Sequence, residues 1–294
     1  MRILVTGGLG FLGAAFVERA RAAGHSVAVL DQHPDADFPC TIDDRAAVAS
    51  AMAATRPDVV AHLAAILTDA AADDPIEATR INALGTAIVF TAAVGTGVSR
   101  IVYASSVAAV GSCREGSGDA VGLAPQSVYG ATKAFGEHLA RAMAGTAGVT
   151  SFVILRFGWI YGRGRARGWR AGQEVIERFA RGEQVVRYPD FPQPIDWTYI
   201  ADAGEVLLRA AERPLPPFSA FNVLGDRRTM REAVGYLSRR FPGIRAEPVP
   251  AETPPSAWGL RNDGLEAALG YRPSTLLETG IDAMLSDGTG GVAQ

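Results

Sequence analysis

Cysteine is almost absent. Cys40 and Cys113 are the only two in 294 residues, too few for a disulfide framework, and neither belongs to a CxxC pair. The four histidines, His25, His33, His62 and His138, show no ligand spacing, so neither structural zinc nor any other metal is expected. An excess of one charge is also lacking: 28 basic residues face 31 acidic ones, a net charge of -3. Such a chain offers no field for a phosphate backbone, which argues against nucleic acid as a partner. No long apolar run is unbroken either. The uncharged stretch 81–99 is interrupted by Asn82, Gly85, Thr86, Thr91, Gly95, Thr96 and Gly97, so it reads as a buried helix with a loose end rather than a membrane span. Met1-Arg2 leads at once into Ile3-Leu4-Val5, leaving no room for a signal peptide, and the expectation is a cytoplasmic protein without membrane attachment.

What the chain does have is core material, 48% apolar residues against 20% charged, the balance of a soluble enzyme. Short β-branched runs at 2–5, 26–30, 58–62, 100–104 and 150–155 alternate with alanine-rich helical stretches, the order of parallel strands joined by crossover helices. The strands are apolar throughout rather than alternating, as sheets covered on both faces require. The fold class is therefore α/β, a doubly wound parallel sheet (Rossmann), with residues 1–160 as the dinucleotide-binding domain. Beyond Tyr161 arginines and proline-rich turns take over, so 161–294 reads as a smaller substrate lobe with an irregular tail at 287–294.

The first strand runs into Thr6-Gly7-Gly8-Leu9-Gly10-Phe11-Leu12-Gly13 and then into a helix, the context that a dinucleotide fingerprint needs. Gly7 and Gly10 allow a tight turn and close approach to a pyrophosphate, and Gly13 allows helix and strand to pack. Phe11 and Leu12 open the helix whose free amides and dipole favour an anion. Asp31, eighteen positions after Gly13 at the end of strand two, is placed to accept from both ribose hydroxyls. Its charge, with no arginine following in Gln32-His33-Pro34, favours NAD over NADP.

Lysine occurs once among 27 arginines, as Lys133, four residues after Tyr129. That spacing puts both on one helix face. A compact ammonium can bond ribose hydroxyls and lower a neighbouring phenol's pKa, which a planar guanidinium does less well. With such a neighbour Tyr129 can exchange a proton with a substrate hydroxyl. Strand five ends at Ser105-Ser106, near the expected cofactor, where Ser106 is read as orienting the substrate oxygen and Ser105 as structural.

These residues resemble the extended short-chain dehydrogenase/reductase family, its NAD-dependent epimerase/dehydratase group, over nearly the whole chain. Thr6 to Gly13 is similar to TGGxGFxG, His62-Leu63-Ala64-Ala65 to HLAA, Asn82 with Gly85-Thr86 to NxxGT, and Tyr129 with Lys133 to YxxxK. Leu155-Arg156 with Tyr161-Gly162, Asp196 with Asp202, and Leu269-Gly270-Tyr271-Arg272-Pro273 resemble its later motifs. The resemblance implies Ser106, Tyr129 and Lys133 as catalytic residues. It also implies Leu63, Ala64, Ala65 and Asn82 along the cofactor path, a homodimer through helices near 82–93 and 129–143, and re-entry of the chain into the large domain around 198–210 and 221–224, making the substrate lobe discontinuous.

Three departures stand out. The position that usually holds an aspartate near adenine is Thr41, before Ile42, with Asp43 as a substitute. The asparagine that usually contacts a sugar nucleotide's pyrophosphate is replaced by Trp159, and the arginine before the DF pair by Ile195. Both changes weaken a nucleotide-sugar reading. The expected function is NAD-dependent oxidation or reduction at a carbinol carbon of a sugar, sugar acid or similar small hydroxy compound. The alternatives are a nucleotide-sugar epimerase or dehydratase, or a dinucleotide sensor without catalysis. Expected substrate contacts are Thr68, Ser106, Trp159, Arg163 and Arg167, with Arg165 and Arg170 in the same arginine-rich loop. The glycine-rich segment 107–127 reads as a mobile lid in which Glu115 and Asp119 face the substrate.

Overall fold

The apolar runs become strands: β1 (Arg2–Thr6), β2 (Ser26–Asp31), β3 (Phe38–Pro39), β4 (Val59–His62), β5 (Arg100–Ser106) and β6 (Ser151–Phe157). Six more follow, β7 (Ile160–Tyr161), β8 (Val185–Asp190), β9 (Ile195–Tyr199), β10 (Phe218–Val223), β11 (Asp226–Arg228) and β12 (Arg245–Pro250). The computed structural model describes residues 1–144, 150–251 and 259–286. The expected irregular tail at 287–294 lies outside the described residues.

Seven strands form one parallel sheet in the order β10-β6-β5-β4-β1-β2-β3, a Rossmann α/β arrangement. Because strand side chains alternate between faces, Ile3 and Val5 enter the core beneath α1 (Phe11–Ala22), while Leu4 enters the opposite core against α2 (Arg45–Thr55). The reversal of strand order beside β1 opens a crevice at the carboxyl edge.

Then come α3 (Thr68–Asp73), α4 (Pro75–Ala78), a π-helical turn (Thr79–Gly85), α5 (Thr86–Gly95) and α6 (Val128–Ala144). The stretch 81–99 differs from a fully buried helix. Asn82, Gly85, Thr86, Val89, Phe90 and Ala93 face inward, whereas Leu84 is 53% exposed. By length and composition 75–95 could span a membrane, but its inward face is committed to covering the sheet.

The remaining helices are α7 (Ala171–Ala180), α8 (Ile200–Glu212), α9 (Met230–Arg240), α10 (Leu265–Leu269) and α11 (Leu277–Ser286). The chain after residue 160 contributes to two cores. Helix α8 packs on α1, and β10 extends the main sheet beside β6. A separate aromatic core gathers Trp159, Tyr161, Trp197 and Phe179 with residues of α9 and α11.

Segment 107–127 is pinned rather than free. The Asp119 carboxylate accepts from Asn222 N–H at 2.6 Å and Gly264 N–H at 2.8 Å, and its carbonyl accepts from Arg156. Gly116 N–H donates to the Gly259 carbonyl at 2.7 Å. Asp119 thus staples the segment to β10 and to the start of α10, so it is held by the fold rather than carried on a mobile lid.

Candidate active site

At the nucleotide end, backbone geometry dictates the residues. Gly7 has φ +71°, and a Cβ there would lie 2.7 Å from Ala64 Cα. A Cβ on Gly13 would lie 2.1 Å from the Gly7 carbonyl oxygen. Only glycine permits either approach. Gly10 is exposed, and its N–H closes the turn onto the Gly7 carbonyl at 3.1 Å. Phe11 and Leu12, at the start of α1, are part-buried. The Asp31 carboxylate accepts from Leu9 N–H at 3.1 Å and His33 N–H at 3.2 Å. A carboxylate has about four acceptor sites, so capacity for two hydroxyls remains.

Farther along this edge Ile42 and Asn82 are placed differently from the sequence expectation. Ile42 is turned into the core, 2.7 Å from where a Cβ on Gly85 would be, so its side chain lines the sheet cover rather than the crevice. Asp43 pairs through one oxygen with Arg80, while its other oxygen, Oδ1, is buried without a partner. Asn82 accepts from Ile66 N–H at 2.7 Å and donates to the Ile66 carbonyl at 2.9 Å and to Thr132 Oγ1 at 3.2 Å. Both its amide hydrogens are used, so it clamps the loop after β4 instead of offering a donor to a cofactor. Leu63, Ala64 and Ala65 are part-buried at the exit of β4, where Leu63 N–H donates to the Thr6 carbonyl at 3.1 Å. The glycine-only cradle, the spare acceptors of Asp31 and the orphaned Asp43 oxygen together fit a dinucleotide.

At the reactive end, Ser106 terminates β5, Tyr129 is the second residue of α6, and Lys133 follows one turn later. Two glycines let the helix lie close. A Cβ on Gly130 would meet the Ala108 carbonyl at 2.3 Å, and one on Gly136 would meet the Tyr103 hydroxyl at 2.5 Å. The Ser106 side chain lies near the Tyr129 hydroxyl and favours its ionised form, and Ser106 Oγ accepts from Ala108 N–H at 3.1 Å. Lys133 Nζ is buried, donates to the Ala104 carbonyl at 2.7 Å, and lies 4.9 Å from the Tyr103 ring centroid and 5.7 Å from that of Tyr129. Burial pushes the Tyr129 phenol up to about 12, against the opposing pull of the Ser106 side chain and the Arg165 charge. Burial pulls the Lys133 ammonium down to about 7, with the Glu137 carboxylate acting in the opposite sense.

Glu137 was not among the residues the sequence singles out, although a carboxylate one turn after the only lysine was a readable signal. It accepts from Ser105 Oγ at 2.6 Å and is gripped by Arg156 at 2.8 to 3.0 Å, all three being buried. Ser105 therefore faces this network, and Ser106 faces the tyrosine.

At the substrate end, Trp159 is not a contact. It packs edge-on to Trp169 and Trp197, stacks on Tyr161, and gives its N–H to the Trp169 carbonyl at 2.9 Å. An indole so enclosed and satisfied belongs to the core. Thr68 is part-buried and donates to Asp69 at 3.3 Å. Arg163 and Arg167 are exposed. It is Arg165, between the left-handed turns at Gly164 (φ +89°) and Gly168 (φ +76°), whose charge reaches Tyr129. Sequence alone names four arginines in this loop and has no means of telling which one turns inward.

Known proteins are similar to this chain in sequence and fold. Residues 3–223 match the profile of the NAD dependent epimerase/dehydratase family. An L-arabinose 1-dehydrogenase (NAD(P)(+)) of Haloferax volcanii is 31% identical over 262 residues, covering 81% of this chain and 96% of that one. A UDP-glucose 4-epimerase of Mycolicibacterium smegmatis is 27% identical and covers 96% of each. The solved Thermus thermophilus UDP-glucose 4-epimerase complex with NAD superposes with a TM-score of 0.85 at 29% identity, covering 99% of this chain and 100% of that one. The chain belongs to the NAD dependent epimerase/dehydratase family, as an NAD-dependent enzyme of the extended short-chain dehydrogenase/reductase type.

Proposed function

We propose that this enzyme is an oxidoreductase acting at a carbinol carbon of a sugar, sugar acid or similar small hydroxy compound, with net change of the nicotinamide. The observation that carries the reading is the convergence of Ser106 at the end of β5 with Tyr129 and, one helical turn later, the buried Lys133. Gly7, Gly10, Phe11, Leu12, Gly13 and Asp31 would hold NAD, with Asp43 at the adenine side and the backbone of 63–65 beneath. When bound, NAD supplies a hydride acceptor or donor for the carbinol carbon. Ser106 orients the reacting oxygen, and Tyr129 takes its proton on oxidation or returns it on reduction. Lys133, when protonated, places a positive charge beside the phenol and favours its ionised form.

Two apolar positions favour a free substrate over a sugar nucleotide. Trp159 and Ile195, where the resemblance puts phosphate contacts in nucleotide-sugar members, are both core residues. The likeness to UDP-glucose 4-epimerases supports a second reading, transient oxidation by the same three residues with NAD unchanged overall. Screening the purified enzyme for NAD reduction with free sugars, aldonic acids and uronic acids, beside nucleotide-sugar interconversion, separates the two. Nicotinamide reduction by free compounds supports the first reading; inertness there with interconversion of a sugar nucleotide replaces it.

We further propose a homodimer packed through the helices near 82–93 and 129–143, supported by the exposure of Leu84 in the π-helical turn and of Phe135 on α6, the latter 43% exposed. Sedimentation of the purified protein tests it. We also propose a cytoplasmic location, in keeping with a helix 75–95 whose inward face covers the sheet.

A further inference from the structure

We propose that Arg165 grips a carboxylate of the substrate beside Tyr129, so that the enzyme prefers a hydroxy acid to the corresponding neutral sugar. The inference rests on the oxidoreductase reading and narrows its substrate class.

The loop's arginines divide by partner. Arg170 is matched by Glu177 at 2.8 Å, and Arg163 and Arg167 are exposed. Arg165 is part-buried and held by two neutral groups, the Ile160 carbonyl at 2.6 Å from Nη1 and the Trp169 carbonyl at 3.3 Å from Nη2. Carbonyls fix a guanidinium without neutralising it. Its carbon lies 5.8 Å from the ring centroid of Phe11, which opens α1 at the glycine loop, so the charge stands between the nucleotide end and the reactive end.

Most telling is Nε, which is buried without an acceptor. Arg170 Nε is also unpartnered, but Arg170 already has its carboxylate. A buried donor without a partner is uncommon in a folded protein. The Nε–H together with an N–H of the neighbouring Nη presents the two-pronged fork that a carboxylate fits. The mutual influence of Arg165 and Tyr129 is the electrostatic sign of their proximity. A carboxylate held there would present a neighbouring carbinol to Ser106 and Tyr129. A cofactor phosphate is the other oxyanion such a fork could take, and the experiment separates the two.

The test compares hexuronates and aldonates with the matching aldoses and alditols, following NAD reduction by the wild-type enzyme, Arg165→Gln and Arg165→Lys, with NADH affinity measured alongside. The wild type should favour the acids by about 100-fold or more in kcat/KM, on the scale set by a site built to bond a group that its competitor lacks. Arg165→Gln should collapse that ratio through the KM for the acid, with NADH affinity within about twofold, and Arg165→Lys, a charge without a fork, should fall between. A wild-type ratio near one overturns the proposal. So does a Gln variant that keeps the ratio but loses NADH affinity, which would give Arg165 to the cofactor. If neither class reduces NAD while a sugar nucleotide is interconverted, the parent reading has failed and this one falls with it. Turnover of neutral compounds alone sinks only the carboxylate.

Discussion

At the glycine loop the enzyme builds with backbone, packing Gly7 against Ala64 and Gly13 against the Gly7 carbonyl. At the arginine loop it builds with side chains, choosing one guanidinium of four to turn toward Tyr129. The first construction is enforced by steric exclusion between backbone atoms, at Gly13 within its own loop and at Gly7 against the exit of β4. The second depends on contacts from β7, Trp169 and Phe11 that meet only in the folded chain. Binding a cofactor common to many enzymes and selecting a substrate therefore rest on different kinds of physical constraint.

The largest effect should come where the two ends meet. Tyr129→Phe removes the proton-carrying oxygen while leaving the glycine cradle intact, so turnover should drop by about 10²- to 10⁴-fold with NAD affinity preserved. Steady-state rates and a cofactor titration on the same preparation check it. Near-wild-type rates would mean the tyrosine carries no proton.

Next, Gly13→Ala tests the backbone end on its own. The added methyl must displace the Gly7 carbonyl, costing about 1–3 kcal/mol by overpacking, with a loss of NAD affinity that should exceed any change in kcat at saturating NAD. Denaturant melts and calorimetric titration would show it. An undisturbed melt and normal affinity would break the contrast between the two ends.

Asp31→Asn probes a side chain that serves the backbone end. Weakening an acceptor of two ribose hydroxyls should cost NAD about 10- to 100-fold in affinity, on the scale of hydrogen bonds to a charged group. The penalty on NADP should be much smaller, since the repulsion of its phosphate is removed as well. Equal losses for both cofactors would count against the assignment.

Smallest are two opposed pH effects. Burial holds Lys133 at about 7 against an ordinary 10.5, so between those values the unfolded chain binds more protons and stability rises with pH. Asp196, which accepts from Gly225 N–H at 2.6 Å and Thr198 Oγ1 at 3.0 Å, is raised from 3.8 to about 7 chiefly by burial. There the folded chain binds more protons, so stability falls as pH rises through that window. Each slope is at most about 1.4 kcal/mol per pH unit. Lys133→Met should flatten the alkaline limb and Asp196→Asn the acid limb of a stability–pH curve. Slopes untouched by either variant would contradict the assignments.

The sheet is readable in the sequence because apolar strand runs and glycine stops are local signals, and β1, β2, β4, β5 and β6 lie where those runs do. The spacing of Tyr129 and Lys133 on one helix is local too. Other placements are not. Asp119 spends its oxygens on amides 103 and 145 residues away, so nothing near it in sequence distinguishes a staple from a substrate contact. Trp159 looked available because a motif position was vacant, but its surroundings come from β9 and the loop at Trp169. Asn82 likewise is used by Ile66 in the loop after β4 and by Thr132 on α6, partners that meet it only in the folded chain.

The most direct measurement follows deuterium from the carbinol carbon of a free hydroxy substrate through a single turnover of the purified enzyme. One label per turnover should appear on the reduced nicotinamide and leave with it, alongside an oxidised product. Label returning to the sugar carbon of a nucleotide sugar, with the nicotinamide oxidised at the end, would contradict net oxidoreduction.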